Sequence, residues 1–596
     1  MKFFAGDAAA AITGLQPVTG ATVELIRIDN DGNQVGDVLA EAVTTIDGNY
    51  TLTLPAGVNL AGDLVVRITG ASNSEMRAQV VQQAVNISPV SEFILRKFIE
   101  NDTDLKVLDT SAVVKLSGHV QEFDLTVGSD LSAVFEQLEA AVGEFIEGQI
   151  DVIQLQPNDA TGLVGDYRSA SLQLALHDSN AQNFGSFAVD MWRSTFTFDG
   201  KADGSVDVHH SGEETAWGNM FGNDVGGTQL NYWADMDEES DTYAANYRSG
   251  VLFVEGEFDE EIEDDFAWRW PPVTYRLQKV KDQNLFFQLN QEASVRYATL
   301  DTDDDGIKDA LNPAAPEGDE INRGIEVFYK TPTAMTTASV NGAYGRVYLG
   351  VLMYSSGHLE LEVEANELTF DNGTLNYGAA QRNRISRNSV GENEAHVEPT
   401  EEEILSIEVA EDGQISVEGE HIDGYFNETA DFAVMAEASG EDGEEANFSK
   451  TFFVKLPNSA PVMANKRYRI MFLDAHFKGR EFHLRNTRFD SFVTFNSNTA
   501  GNALLGGTTL EKGSLGGNVV SGIIPVGERN VTAQIGSNGA TTLQITDDGG
   551  VLHLQGYWNA TASYGLFTTG FIATGETVPK SAGLAVLVEV SDGQPE

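Results

Sequence analysis

Gly424-Tyr425-Phe426-Asn427-Glu428-Thr429-Ala430 and Gly556-Tyr557-Trp558-Asn559-Ala560-Thr561-Ala562 are one phrase written twice. In each, two aromatic residues run into an Asn-x-Thr turn, which is how a strand ends and doubles back. Outward from the phrase, other signals recur in the same order in three blocks. Each block opens on a tyrosine: Gly165-Asp166-Tyr167, Gly342-Ala343-Tyr344 and Lys466-Arg467-Tyr468. Next comes a Thr-Phe or Val-Thr-Phe strand: Phe196-Thr197-Phe198, Leu368-Thr369-Phe370 and Phe492-Val493-Thr494-Phe495. A glycine hairpin follows at Ser249-Gly250-Val251, Asp412-Gly413-Gln414 and Asp548-Gly549-Gly550. Solenoid and propeller repeats run to roughly 20–50 residues. This unit is far longer, so each copy is a domain. Many short alternating strands with Gly and Asp turns predict a meandering barrel, with a sandwich as the alternative.

Pro-containing joints at Gln156-Pro157, Thr331-Pro332 and Pro457-Asn458-Ser459-Ala460-Pro461 bound the copies. The fold class expected is mainly β: an N-terminal β-sandwich, a short helical connector and three related antiparallel β-barrel-like domains. The expected limits are 1–100 for the sandwich, 101–157 for the connector and 158–300 for the first barrel. A calcium-binding linker over 301–334 precedes barrels over 335–458 and 459–596. In the connector, Leu131, Val134, Phe135, Leu138, Ala141, Val142 and Phe145 recur at helical spacing. Ser129 or Asp130 is placed to cap that helix and Gly148 to end it.

Pro17-Val18-Thr19-Gly20-Ala21-Thr22-Val23-Glu24-Leu25, followed by Thr45-Ile46-Asp47-Gly48-Asn49-Tyr50-Thr51-Leu52-Thr53-Leu54-Pro55, resembles the carboxypeptidase-regulatory-like (transthyretin-like) domain. That resemblance implies a spacer or adhesion module with no catalytic residues. The order of signals in the three blocks is similar to that of small lipocalin-like barrels.

The 596 residues include 36 Lys plus Arg and 91 Asp plus Glu, a formal charge of 36 − 91 = −55. Nucleic-acid binding needs clustered cations that displace counterions, so nucleic acid is excluded as a partner. With 41% hydrophobic residues the chain can build cores and is not an acidic disordered tail. There is no cysteine, which excludes disulfide and thiolate chemistry. No stretch approaches the roughly 18 apolar residues of a membrane-spanning helix.

Two sites stand out. Asp301-Thr302-Asp303-Asp304-Asp305-Gly306-Ile307-Lys308-Asp309 sets Asp301, Asp303 and Asp305 at positions 1, 3 and 5 of a loop. Gly306 allows the sharp turn, the Ile307 carbonyl and Asp309 follow at 7 and 9, and Asn312 stands at 12. Calcium takes six to eight such hard oxygens. Asn312 replaces the bidentate Glu of an EF-hand, and the run resembles thrombospondin type 3 and dockerin loops instead. The cofactor expected is Ca2+, with Asp319 and Glu320 near enough in sequence to complete its shell, and with the ion stiffening an interdomain joint. The second site is aromatic. Five of six tryptophans fall in the first barrel, and Trp217, Trp233, Trp268 and Trp270 are its candidate ligand platform. Trp268 and Trp270 share a face if they lie on a strand. No catalytic motif appears. The function expected is that of an exported bacterial cell-surface protein, extracellular or lipoprotein-anchored to the outer membrane, acting in adhesion, scaffolding or binding without turnover. Its partner would be a surface molecule, a glycan or a hydrophobic ligand. The alternatives are a carrier of a hydrophobic small molecule and a glycan-binding or glycan-active protein.

Overall fold

The computed structural model describes residues 12–13, 17–69, 75–120, 125–126, 131–177, 187–223, 227–237, 240–256, 258–262, 266–301, 308, 310–417, 420–513, 517–547 and 549–590. They divide into two compact units, one of which is Met1–Gln156 with Gly256–Asp259 and Pro271–Thr274.

That first unit carries a four-stranded antiparallel sheet built from Thr22–Ile28, Gln34–Val43, Leu64–Thr69 and Glu75–Gln79. Val23, Leu25, Leu64 and Val66 cluster with Tyr50, Leu52 and Val85 on one face. Ile26, Ile28 and Val65 meet the helices on the other. Three helices follow: α1 (Pro89–Glu100), α2 (Thr110–Val120) and α3 (Leu131–Gln154). Ser88 caps α1 in a reciprocal box with Ser91, and Pro89 stands in its first turn. The expected helix is α3, and it continues through Gly148 to Gln154. Ser129 and Asp130 lie outside the described residues. In the helix interior Gly148 costs only about 1 kcal/mol relative to Ala, too little to break an apolar face this long.

The second unit contains three closed, eight-stranded, up-and-down antiparallel barrels. In each, the last strand returns to the first: Lys330 is the register partner of Tyr167, Lys455 of Tyr344, and Glu589 of Tyr468. The opening tyrosines point into the barrels, where each meets the second-strand phenylalanine. Ring centroids are 4.2 Å apart for Tyr167–Phe198, 5.0 Å for Tyr344–Phe370 and 5.7 Å for Tyr468–Phe495. The doubled phrase supplies a third ring, Phe426 or Trp558, and an Asn-x-Thr turn whose alanine, Ala430 or Ala562, has φ 52°. Tyr344 donates to the Ala430 carbonyl (2.7 Å) and Tyr468 to that of Ala562 (2.9 Å). In the first barrel the third ring is Phe286 from the seventh strand, which explains why the phrase is missing there.

Two sequence expectations are corrected. The residues 301–334 are not a linker, because Ala310–Lys330 is the eighth strand that closes the first barrel. The third-block hairpin is displaced by one: Asp547 pairs with Gly550 between strands five and six. The counterpart of Gly250 and Gly413 is Gly539, with φ of 83°, 86° and 82° in turn. Their carbonyls accept equivalent bonds from the Lys279, Phe426 and Trp558 amides.

The largest apolar cluster lies outside the barrels, where outward side chains of all three meet. At its centre are Phe287, Phe432 and Tyr564, one ring from the seventh strand of each barrel. Their centroids are 5.8, 6.1 and 6.2 Å apart. Smaller clusters fill part of each barrel's interior.

Candidate functional site

In the first strand of the first barrel, Gly165–His177, the alternating pattern is turned inside out. Ala170, Leu172, Leu174 and Leu176 face outward into the shared core. Ser169, Ser171, Gln173 and His177 therefore face into the barrel, since successive side chains on a strand point to opposite faces. The neighbouring strands behave alike, and cross-strand register sets the inward residues in rungs. One rung is Trp192, Ser171, Glu326 and Gln288. The next is Trp217, Asp190, Gln173, Gly324 and Asn290. Beyond it, Asn322 stands beside Glu292, and then His177 beside Glu320 and Ser294.

One half of this interior is closed by Tyr167, Phe198, Phe286, Phe328, Leu252 and Leu277. The other half is polar and acidic. His177 Nε2 lies 2.9 Å from Glu320 Oε2, and Asn322 Nδ2 donates to Glu320 Oε1 (3.0 Å). Tyr275 donates to Glu292 (2.9 Å) and Trp192 Nε1 to Glu326 (3.3 Å). Gln173 is fully buried, yet neither its Oε1 nor its Nε2 has a hydrogen-bond partner. Ser171 Oγ and one oxygen each of Asp190, Asn219 and Asn290 are also buried without a partner.

These surroundings shift the acids unequally. Burial, then repulsion from Glu320 and Glu292, pushes Asp190 well above the usual carboxylate range. Burial also raises Glu292, against the opposing bond from Tyr275. Glu326 is pushed up to about 7 by burial, although Ser169, Lys450 and Trp192 partly offset it. Burial would raise Glu320 too, but His177 and Asn322 hold it below its ordinary value.

The four predicted tryptophans lie on strands of this barrel's sheet. Trp217 is the register partner of both Asp190 and Trp233, and so points inward. Trp268 pairs with Arg296, on the same side of the seventh strand as Asn290 and Glu292, and stacks on Trp270 at 6.1 Å. Trp233 is exposed and the other three are partly so. Trp217 lies on the third barrel strand, Ser205–Asn223, and Trp233 on the Gly227–Asp237 strand paired with it, whereas Trp268 and Trp270 lie on the Phe266–Trp270 strand paired with the seventh, Leu285–Leu300. Sequence reasoning found the tryptophans by their uneven distribution. It missed Gln173, Asp190, Glu292 and Glu326, whose inward facing depends on barrel register.

The calcium residues Asp303, Asp305, Ile307 and Asp309 lie outside the described residues. Leu300 and Ala310 are register partners, so 301–309 joins strands seven and eight of the first barrel. The expected interdomain joint therefore falls between two paired strands of one barrel. Asn312 belongs to strand eight. Glu320, expected to complete the calcium shell, faces the barrel interior and meets His177. No cluster of three or more acidic or histidine side chains suited to a metal occurs among the described residues.

No family model matches the chain, and no curated protein does. Among solved structures, a putative AttH from Nitrosomonas europaea is 7% identical, covering 48% of this chain and 92% of that one, with TM-score 0.16. The isotype 1 transferrin binding protein B of serogroup B Neisseria meningitidis is 7% identical over 73% of this chain and 78% of its own, also with TM-score 0.16. CghA is 10% identical over 74% and 96%, with TM-score 0.15. Scores of this size assign neither topology nor activity.

Proposed function

We propose that this chain is an exported bacterial cell-surface protein whose work is binding, with the first barrel as its ligand-holding module. The observation that carries the reading is the polar half of that barrel's interior. It combines a buried, unpaired Gln173 with the partly exposed Trp217 in the same rung. Binding sites join a few convergent polar groups to an aromatic wall, and an interior needed only for packing would be apolar throughout. The barrel's other half is filled by side chains, which disfavours an apolar cargo. The second and third barrels share the central core and act as scaffold. Calcium at Asp301, Asp303, Asp305, Ile307, Asp309 and Asn312 remains part of the reading on its sequence spacing, as a clamp between strands seven and eight. The N-terminal unit would serve as a spacer. Two measurements test the proposal. Labelling of intact source cells with a membrane-impermeant reagent should reach the protein. Ligand screening by tryptophan emission should give a response that Trp217→Ala diminishes. Protein shielded within intact cells, or a response indifferent to Trp217→Ala, contradicts it.

A further inference from the structure

The unpaired groups in the first barrel include both donors and acceptors, and that mixture restricts what can satisfy them. Gln173 offers a donor in Nε2 and an acceptor in Oε1, and the Ser171 hydroxyl serves as either. Asp190 Oδ1, Asn219 Oδ1 and Asn290 Oδ1 add acceptors. A buried amide left unpaired is costly, so its partner must reach both ends. An ammonium or guanidinium group has donors only and would leave Gln173 Nε2 unmet. A carboxylate or phosphate group has acceptors only, would leave Gln173 Oε1 unmet and would be repelled by Glu320, which His177 and Asn322 hold below its ordinary value. An apolar molecule would meet neither need. Hydroxyl groups both donate and accept, and a molecule bearing several on a ring also has a flat apolar face for an indole.

The geometry points to a neutral polyhydroxylated ligand, a sugar unit, held by Gln173, Ser171 and Asp190 against Trp217. This rests on the binding role proposed above and specifies its ligand. Ser171 and Gln173 are two residues apart on one strand, about 6.8 Å along it, which matches the span of a pyranose with its hydroxyls. Gly324 lies between Gln173 and Asn290 in the rung. A Cβ there would come within 2.5 Å of Gln173 Cγ and 2.7 Å of the Leu172 carbonyl oxygen, so glycine makes the room in which the Gln173 side chain lies. Burial also favours the protonated forms of Asp190, Glu292 and Glu326, which donate as well as accept.

The test is calorimetric titration of the full chain with glucose, galactose, mannose and their short oligomers. Glucuronate and glucosamine serve as the anionic and cationic counterparts. At least one neutral sugar is expected to bind about tenfold or more tighter than its charged counterpart. Gln173→Leu should weaken that binding by about tenfold or more, as expected for a lost buried hydrogen bond, with an unchanged circular dichroism spectrum. Trp217→Ala, at a partly exposed position, provides a second variant should Gln173→Leu fail to fold. Tighter binding of glucuronate or glucosamine, lost in both variants, overturns the ligand class and leaves the binding site standing. Neutral-sugar binding that neither variant weakens overturns the site. No binding of any of these sugars overturns the sugar proposal, while the tryptophan-emission screen decides the binding role separately.

Discussion

Phe432→Ala removes one of the three rings on which the barrels converge. Phe432 is fully buried. Its ring lies 5.8 Å from Phe287, 6.0 Å from Phe452, 6.1 Å from Tyr329 and 6.2 Å from Tyr564. Truncating a buried phenylalanine costs about 3–5 kcal/mol through lost transfer energy and the cavity left behind. The neighbours belong to three barrels that cannot all close onto the gap, so a value in the upper part of that range is expected. With a urea slope of about 3 kcal/mol/M, the midpoint falls by about 1.3–1.7 M. Tryptophan emission makes the test selective. Five tryptophans lie in the first barrel and Trp558 is buried in the third, whereas the second has none. A shared core makes the barrels unfold together, so a substitution in the second barrel moves the emission transition of the other two. An emission midpoint unchanged by Phe432→Ala, while circular dichroism reveals a separate early transition, would refute the shared core.

Three further outcomes are expected. Tyr468→Phe removes the bond to the Ala562 carbonyl and should cost about 1 kcal/mol in urea unfolding, whereas Tyr167→Phe, whose hydroxyl has no partner, should cost close to nothing; equal losses would contradict the assignment. Fully buried Lys450, on the second barrel, donates to the Ala170 and Ile325 carbonyls of the first, beside Glu326. Burial lowers Lys450 to about 7 and raises Glu326 to about 7. Glu326's stabilising contribution is therefore lost as pH rises from about 4.5 to 7, and that of Lys450 is lost as pH falls from about 10.5 to 7. The Tm–pH curve should dip near 7 relative to the Glu326→Gln/Lys450→Met double variant, and parallel curves would contradict this. Calorimetry should show a calcium site that Asp303→Ala abolishes, and absence of heat at millimolar calcium would remove the clamp.

Much of the fold was legible because its turns and interior rings leave local signatures. Tyr167, Tyr344 and Tyr468 open their barrels, and Asn427-x-Thr429 and Asn559-x-Thr561 turn theirs back, as their spacing predicts. The misplaced hairpin has a physical origin. Asp548-Gly549 is a turn signal at any hairpin, and only the ladder shows that Gly539 holds the equivalent place. Strand eight of the first barrel was hidden by Pro313, Pro316 and Gly318, which interrupt its alternation beside an aspartate-rich loop. The polar half of the first barrel's interior was illegible for a different reason. Alternation along Ser169–His177 shows two faces, but not that the apolar one is covered by other barrels and the polar one turned inward. That inversion follows from long-range packing and has no local sequence mark.

Diffraction from crystals soaked in turn with glucose, galactose and mannose tests the account most directly. It predicts sugar density within hydrogen-bond reach of Gln173 and Asp190 with its ring against Trp217; density for a bound sugar elsewhere, with ordered water alone between those side chains, would contradict it.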